Sequence, residues 1–383
     1  MRRTFTSTSP SLSLPSTTSR DTLLRRLSGV RWVLLLTALL LSMVGLATVH
    51  SASAEMSFDY LPRQGLWVVA GLMLLALGLT IDYHVLLDLS TLLYGLGLVA
   101  LVLVLFFGEV RGGAKSWLGV GTFGGQPSEM MKLATAMLLA RYLAVGSQRH
   151  LDLTQVAVAG AIVTVPMVLT AVEPDLGGAM MFAPIFAGMV LVAGLRLKTL
   201  ALLVVAALLA GTLVFFFGIK DYQRQRIVTY FSPGSDLQGA GYQVRQSKIA
   251  VGSGQLTGRG YMQGTQSQLR FLPARHTDFV FAVVAEEWGF LGVVGVLGLY
   301  SIFFINVAVV AARARDRAGI LLVVGLLSMM ACHVIYNTAM VVGLLPITGI
   351  PLPFISYGGS FMLLNFLATG LILGVDLRRH VNR

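Results

Sequence analysis

Read for its hydrophobic and polar positions, the chain alternates long apolar runs with short polar breaks. Apolar stretches lie at about 32–49, 64–80, 89–108, 129–145, 155–172, 177–194, 199–218, 279–310, 319–345 and 358–375. A helix needs about 20 apolar residues to cross a bilayer, and a helix satisfies its own backbone there. The pattern predicts an all-α polytopic membrane protein of about ten transmembrane helices. The eighth run is unusually long, and the ninth is broken near Gly343 and Pro346.

One polar interval interrupts this rhythm, Ile219 to Thr277, between the seventh and eighth helices. Its end, continuing into the eighth helix from Gly254 to Gly289, reads GQLTGRGYMQGTQSQLRFLPARHTDFVFAVVAEEWG. Residues 1–28 are rich in Ser, Thr and Pro with scattered Arg, and read as a disordered cytoplasmic tail. The rest, 29–383, reads as a single transmembrane domain that includes the large loop 219–277. Ala52-Ser53-Ala54 resembles a signal-peptidase site, but the long tail and the length of the first apolar run favour a retained span.

Composition agrees with a membrane chain. Hydrophobic residues make up 56% and charged residues 12% of 383 residues, and the mean hydropathy is +0.79; a water-soluble fold of this size is excluded. The net charge of +11 comes from arginines that flank the spans, so nucleic acid is not the implied partner. The six arginines up to Arg31, with Arg141, Arg149, Arg196, Lys198, Arg313, Arg315, Arg317, Arg378, Arg379 and Arg383, fall on one side, and the short opposite loops hold Arg63, Arg111 and Lys115. Both termini are therefore expected in the cytoplasm and the long loop outside it, since loops of about 60 residues escape the charge rule. A single Cys332 excludes an internal disulfide framework.

No nucleotide-binding loop, dinucleotide fingerprint, zinc-protease helix or Ser-x-x-Lys nucleophile is present. The six histidines are not spaced for a metal site; a divalent cation (Mg or Mn) held by carboxylates and substrate phosphates stays open. The candidates are polar groups placed where a bilayer makes them costly. Glu129 and Lys132, three apart at the start of the fourth helix, share a face and can pair, as an ion pair at a span end or as part of a site. Arg111 and Lys115 beside Trp117 form either an interfacial belt or a clamp for an anionic head group. Asp175, in the Glu173–Gly178 turn, reads first as turn chemistry and second as a sugar or cation contact. Arg245, Lys248, Arg259, Arg270 and Arg275 form a cationic surface that suits either anionic lipid or a pyrophosphate. Asp278, beside Arg275 and His276 where the eighth helix begins, is placed for a cap and for a general base. Position alone favours the cap. Glu286 and Glu287 read as bundle-facing partners or an acidic wall.

Several of these runs together carry a resemblance. Gln126-Pro127-Ser128-Glu129 with Lys132, Pro174-Asp175-Leu176-Gly177, Gly264-Thr265-Gln266-Ser267-Gln268 with Phe271-Leu272-Pro273, His276-Thr277-Asp278-Phe279 with Glu286-Glu287, and Gly349 to Ser360 resemble the SEDS family (shape, elongation, division and sporulation) over about residues 30–380. The Gly-Thr-Gln-Ser-Gln segment is similar to the elongation-type member rather than the division-type one. The resemblance implies a ten-helix glycosyltransferase that polymerises lipid II outside the cytoplasmic membrane, releasing undecaprenyl pyrophosphate. It implies work with a class B penicillin-binding protein and other elongation-complex membrane proteins. It assigns catalysis to Asp278 and a functional pair to Glu129 and Lys132. Trp288 departs from the family pattern, where a small or aliphatic residue is usual, and puts local packing in question. The alternatives are a lipid II flippase or a non-catalytic scaffold. The polar groups cluster at the outer span ends, and no inverted repeat with matching broken helices is visible, which favours the enzyme.

Overall fold

The computed structural model describes residues 31–54, 60–111, 114–120, 123–145, 150–213, 224, 228–230 and 239–379. The expected tail 1–28 lies outside them, as does much of the first part of the long loop. The helices are α1 (Trp32–Ser53), α2 (Leu61–Thr80), α3 (Tyr83–Asp88), α4 (Ser90–Phe107), α5 (Pro127–Ala144), α6 (Leu153–Val172), α7 (Leu176–Met180), α8 (Phe182–Gly194), α9 (Leu197–Leu213), α10 (Ala240–Ser253), α11 (Thr265–Gln268), α12 (Val280–Arg313), α13 (Arg317–Val341) and α14 (Gly359–Arg378). Eight segments among the described residues are long and apolar enough to cross a membrane, with α7 and α8 counted as one. The other two expected spans coincide with α5 and α9.

The all-α expectation needs one correction. Between α4 and α5 the chain forms a small antiparallel sheet of β1 (Glu109–Arg111), β2 (Ala114–Val120) and β3 (Phe123–Gly125), in the order β1-β2-β3. Its register pairs Val110 with Lys115 and Leu118 with Gly125.

α14 is the most buried long helix and packs along α2. Small residues set that approach: a Cβ on Gly370 would lie 2.4 Å from the Leu75 carbonyl oxygen, and one on Gly78 would lie 3.1 Å from the Leu371 nitrogen. Close backbone contact of this kind supplies the dispersion energy that holds helices together in lipid. α13 fills the other side of the core against α8, α12 and α5.

The long loop is built onto a break in α12. Gly289 has φ 65 and divides that helix in two, where the sequence pattern predicts one continuous span. A break orphans backbone groups on both sides, and the segment 255–260 supplies partners for them. The N–H groups of Arg259 and Gly260 donate to the carbonyls of Glu286 and Glu287, both at 3.0 Å. In return, Phe290 and Leu291 N–H donate to Gln255 and Leu256 carbonyls at 2.8 and 3.1 Å. The Gly-rich part of the loop is thereby fixed to the break in α12.

Candidate active site

Asp278 lies at the N-terminal end of α12, in a turn where its N–H donates to the Ala274 carbonyl at 3.0 Å. Its own carbonyl accepts from Asn337 Nδ2 at 2.8 Å, and the same amide donates to Ile350 at 2.7 Å. α13 thus ties Asp278 to the extended segment 342–358. That segment is doubly fastened: Ser356 Oγ donates to the Thr277 carbonyl at 2.6 Å and accepts from Leu352 N–H at 2.8 Å. Tyr357 N–H donates to the His276 carbonyl at 2.9 Å. The half-buried carboxylate of Asp278 faces Gly349, whose φ is 76; a Cβ there would sit 3.4 Å from Asp278 Oδ2. Glycine at this point fits both the left-handed backbone and the approach of the carboxylate.

Beside Asp278 the ring of His276 stacks on Tyr60 at 4.6 Å, with Tyr357 edge-on to Tyr60 at 4.8 Å. Burial and the neighbouring Arg275 guanidinium push the His276 imidazole down to about 4. At neutral pH it is an uncharged aromatic surface, not a third cation. Tyr357 belongs to the Gly349 to Ser360 run singled out in the sequence, whereas Tyr60 and Asn337 come from separate elements and carry no local signal.

A second polar group lies under the same segment. Lys132 Nζ is 2.9 Å from both Glu129 oxygens, and both side chains are buried. The pair expected from the i,i+3 spacing is present, and it belongs to the core, with Lys132 5.9 Å from the Phe361 ring centroid. His333 Nδ1–H donates to the Pro351 carbonyl at 3.1 Å, and its ring lies 4.9 Å from Phe361. Asp175 accepts from Gly178 N–H at 2.8 Å and from Gln126 Nε2 at 2.6 Å. It is therefore a helix-cap residue, as turn chemistry predicts, and also a link to α5. Burial raises its carboxyl, offset by the Gly178 bond, by Lys132 and by Gln126. A Cβ on Gly177 would lie 2.5 Å from the Thr348 carbonyl, so this turn and Asp278 touch neighbouring residues of one segment. Glu173, fully buried, has no hydrogen-bond partner for either oxygen among the described residues. Burial, with a smaller contribution from Asp175, lifts it to about 8.

Several expected cations are not gathered at this site. Lys115 Nζ donates to the carbonyls of Leu105 and Phe106, at 2.8 and 3.1 Å, and so caps the C-terminus of α4. Arg275 is buried; its Nε donates to Ala52 O at 2.6 Å and its Nη1 to Ser267 O, which ties the loop to the end of α1. Arg245, Lys248 and Arg259 are exposed on the loop, with the Lys248 stem against Gly343. The Arg111 side chain lies outside the described residues. Glu286 and Glu287 are buried, bundle-facing partners, the first of the two expected readings. Glu286 accepts from Gln266 N–H (2.8 Å), Ser267 N–H (3.1 Å) and Thr265 Oγ1 (3.3 Å), capping α11, and Glu287 accepts from Ser51 Oγ.

The donor set does not suit a metal cage. Among the described residues no three His, Cys, Asp or Glu side chains converge on one point that would hold an ion.

These features define a polytopic helical membrane protein with a braced carboxylate at the N-terminal end of a long helix. The sequence profile of the FtsW/RodA/SpoVE family, described as cell cycle protein, matches residues 31–381. The chain belongs to that family. It is 34% identical to the peptidoglycan glycosyltransferase RodA of Treponema pallidum (strain Nichols), over 93% of this chain and 99% of that one. It is 39% identical to the peptidoglycan glycosyltransferase MrdB of Escherichia coli (strain K12), over 75% and 77%. Among solved structures, a chain from work on structural coordination of polymerization and crosslinking by a peptidoglycan synthase complex superposes with a TM-score of 0.80 at 30% identity, over 92% of this chain and 98% of that one. The Rod shape determining protein RodA of Thermus thermophilus gives 0.69 at 28% identity over the same shares.

Proposed function

We infer that this chain is an elongation-type peptidoglycan glycosyltransferase, a multi-pass protein of the bacterial cytoplasmic membrane that polymerises lipid II on the outer side. The names of the relatives support the reaction class. The observation that carries the assignment to Asp278 is its setting: Asn337 fixes the residue through its main-chain carbonyl, and its carboxylate lies beside the left-handed Gly349.

In this reading Asp278 takes the proton from the 4-hydroxyl of a GlcNAc unit. The oxygen then attacks the anomeric carbon of the MurNAc unit on a second lipid-linked glycan. The bond from that carbon to the pyrophosphate breaks, undecaprenyl pyrophosphate leaves with the bonding electrons, and the configuration inverts. The proton on Asp278 returns to water. Tyr60, the neutral His276 and Tyr357 offer an aromatic platform with an apolar body and polar tips, suited to a sugar ring. The leaving group needs its charge neutralised. Loop cations Arg245, Lys248 and Arg259 are exposed for this, whereas Lys115 and Arg275 are committed to backbone carbonyls. A divalent cation would depend on substrate phosphates for most of its ligands, and no step is assigned to one. The relative described as part of a synthase complex for polymerization and crosslinking supports a class B penicillin-binding protein as partner.

The test is lipid II polymerisation by purified protein with that partner. Asp278→Ala should lower the rate by about 10²–10⁴-fold, the range of a general base, with melting temperature and partner binding unchanged. A normal rate in folded, partner-bound Asp278→Ala protein overturns the assignment.

A further inference from the structure

The opposite end of α14 holds a second polar site. α14 starts beside the site, where Ser360 Oγ accepts from Gln126 N–H at 3.0 Å, and runs for 20 residues to Arg378. At 1.5 Å per residue that is about 30 Å, the thickness of the hydrocarbon layer. The far end therefore reaches the other membrane face, at the level of lipid phosphates. A cleft of about 260 Å³ opens there, lined by Arg315, Arg378, Arg379, Tyr83, His84 and Asp316, with Val375 at its base.

The aspartates of this corner already have partners. Asp316 accepts from Tyr83 Oη and from Gly319 N–H (3.0 Å), and its Oδ2 lies 3.7 Å from His84 Nε2. Asp82 Oδ1 accepts from His84 N–H (3.0 Å) and meets Arg378 Nε at 3.6 Å. Asp376, buried, lies 2.9 Å from Arg379 Nη1 and 3.3 Å from Arg31 Nε. Arg378 also donates to the Thr80 carbonyl at 2.7 Å and closes the end of α2. Arg315 is different. It is exposed at the cleft and has no hydrogen-bond or ion-pair partner among the described residues. Among the described residues, Arg31, Arg378 and Arg379 meet Asp376 and Asp82, Asp316 is held by Tyr83, Gly319 and His84, and Arg315 is left without a carboxylate.

We propose that this cleft binds a phosphate group, carried by the head group of an anionic membrane lipid. Arg315 supplies the planar donor fork that suits phosphate oxygens, and Arg379 stands across the cleft. Basic pockets between helices at a membrane face take such head groups. The bound phosphate bridges the α12–α13 turn to the end of α14, a contact remote from the glycosyl-transfer site and independent of how that site works.

Native mass spectrometry of the purified full chain with phosphatidylglycerol or phosphatidylcholine tests this. Arg315→Gln removes no contact within the described protein, so it should fold, and Arg313→Gln is the control: an exposed arginine at the same membrane boundary that does not line the cleft. The wild type should retain phosphatidylglycerol over phosphatidylcholine, Arg315→Gln should reduce that retention by about tenfold, and Arg313→Gln should stay within about twofold of wild type. Equal loss in both variants means a diffuse basic rim and overturns the site, as does no loss in either. Displacement of the lipid by millimolar inorganic phosphate overturns the lipid assignment in favour of a soluble phosphate.

Discussion

Asp278 and Glu286 stand about two turns apart at the N-terminal end of α12, and their surroundings differ in kind. The Glu286 carboxylate is fully buried and accepts from two N–H groups and a hydroxyl of α11. Asp278 is half-buried and anchored through its main chain, its N–H to Ala274 and its carbonyl to Asn337, with the carboxylate against a glycine. A carboxylate saturated by fixed donors has its charge balanced in place and holds structure. Asp278 is instead held by main-chain bonds beside a left-handed glycine, which fix where its carboxylate sits. Both acids belong to the same run of family-like sequence, and they differ in what holds them: side-chain contacts to α11 for Glu286, main-chain bonds for Asp278.

Replacing Glu286 is the strongest way to break this comparison. Glu286→Ala leaves two buried N–H donors of α11 unpaired, a loss of about 3 kcal/mol or more. A fall in melting temperature and in yield is expected, with normal polymerisation per folded molecule. If the variant melts like wild type but polymerises slowly, Glu286 belongs with the chemistry and the contrast collapses. Asn337→Ala is the next test. It removes the donor shared by Asp278 and Ile350, and a displaced base should lower kcat by about tenfold while KM for lipid II moves little. Asn337→Asp, which keeps the size but has no amide donor, should not restore kcat. Equal falls in kcat for substrates whatever the state of Asp278, measured in an Asp278→Ala background, would instead indicate a general loss of structure.

The spans were legible because run length alone identifies a helix in lipid, and the Glu129–Lys132 pair because i,i+3 spacing puts both on one face. The break at Gly289 was not, since the apolar pattern continues through it and only the loop segment 255–260 reveals why it is tolerated. The hairpin 109–125 escaped because its strands are short, rich in glycine and without alternation. Asn337, Tyr60 and Tyr357 reach Asp278 and His276 from separate elements, and nothing in local spacing announces such a meeting. The contacts of two candidate cations were illegible for a related reason. The partners of Lys115 and Arg275 are backbone carbonyls, which every residue has and which carry no mark in sequence.

Glu173 sharpens the comparison from the side of charge. It is buried like Glu286 but has no donor, and it is lifted from 4.5 to about 8. The unfolded chain ionises at the lower value and the folded one at the higher. Stability should thus fall as pH rises between these values and level off above about 8. Glu173→Gln cannot ionise, so its stability should gain on wild type across that window, by an amount on the order of 5 kcal/mol at the upper end. A constant offset from burying an amide is expected, and the slope is the readout. Parallel melting curves for the two proteins from pH 5 to 8 would mean that Glu173 is ionised and paired in the folded state.

The smallest expected effect separates a cap from a clamp. Lys115 Nζ closes two carbonyls at the end of α4, and Lys115→Met keeps the apolar stem while removing both donors. The loss of such a cap costs about 1 kcal/mol, read as a small drop in melting temperature. A clamp on pyrophosphate would behave otherwise, because a charge-assisted contact to phosphate is worth about tenfold or more in binding. The geometry predicts the first outcome, with KM for lipid II unchanged. A tenfold rise in KM at unchanged stability would return Lys115 to the substrate and extend the site from Asp278 to the β1–β2 hairpin.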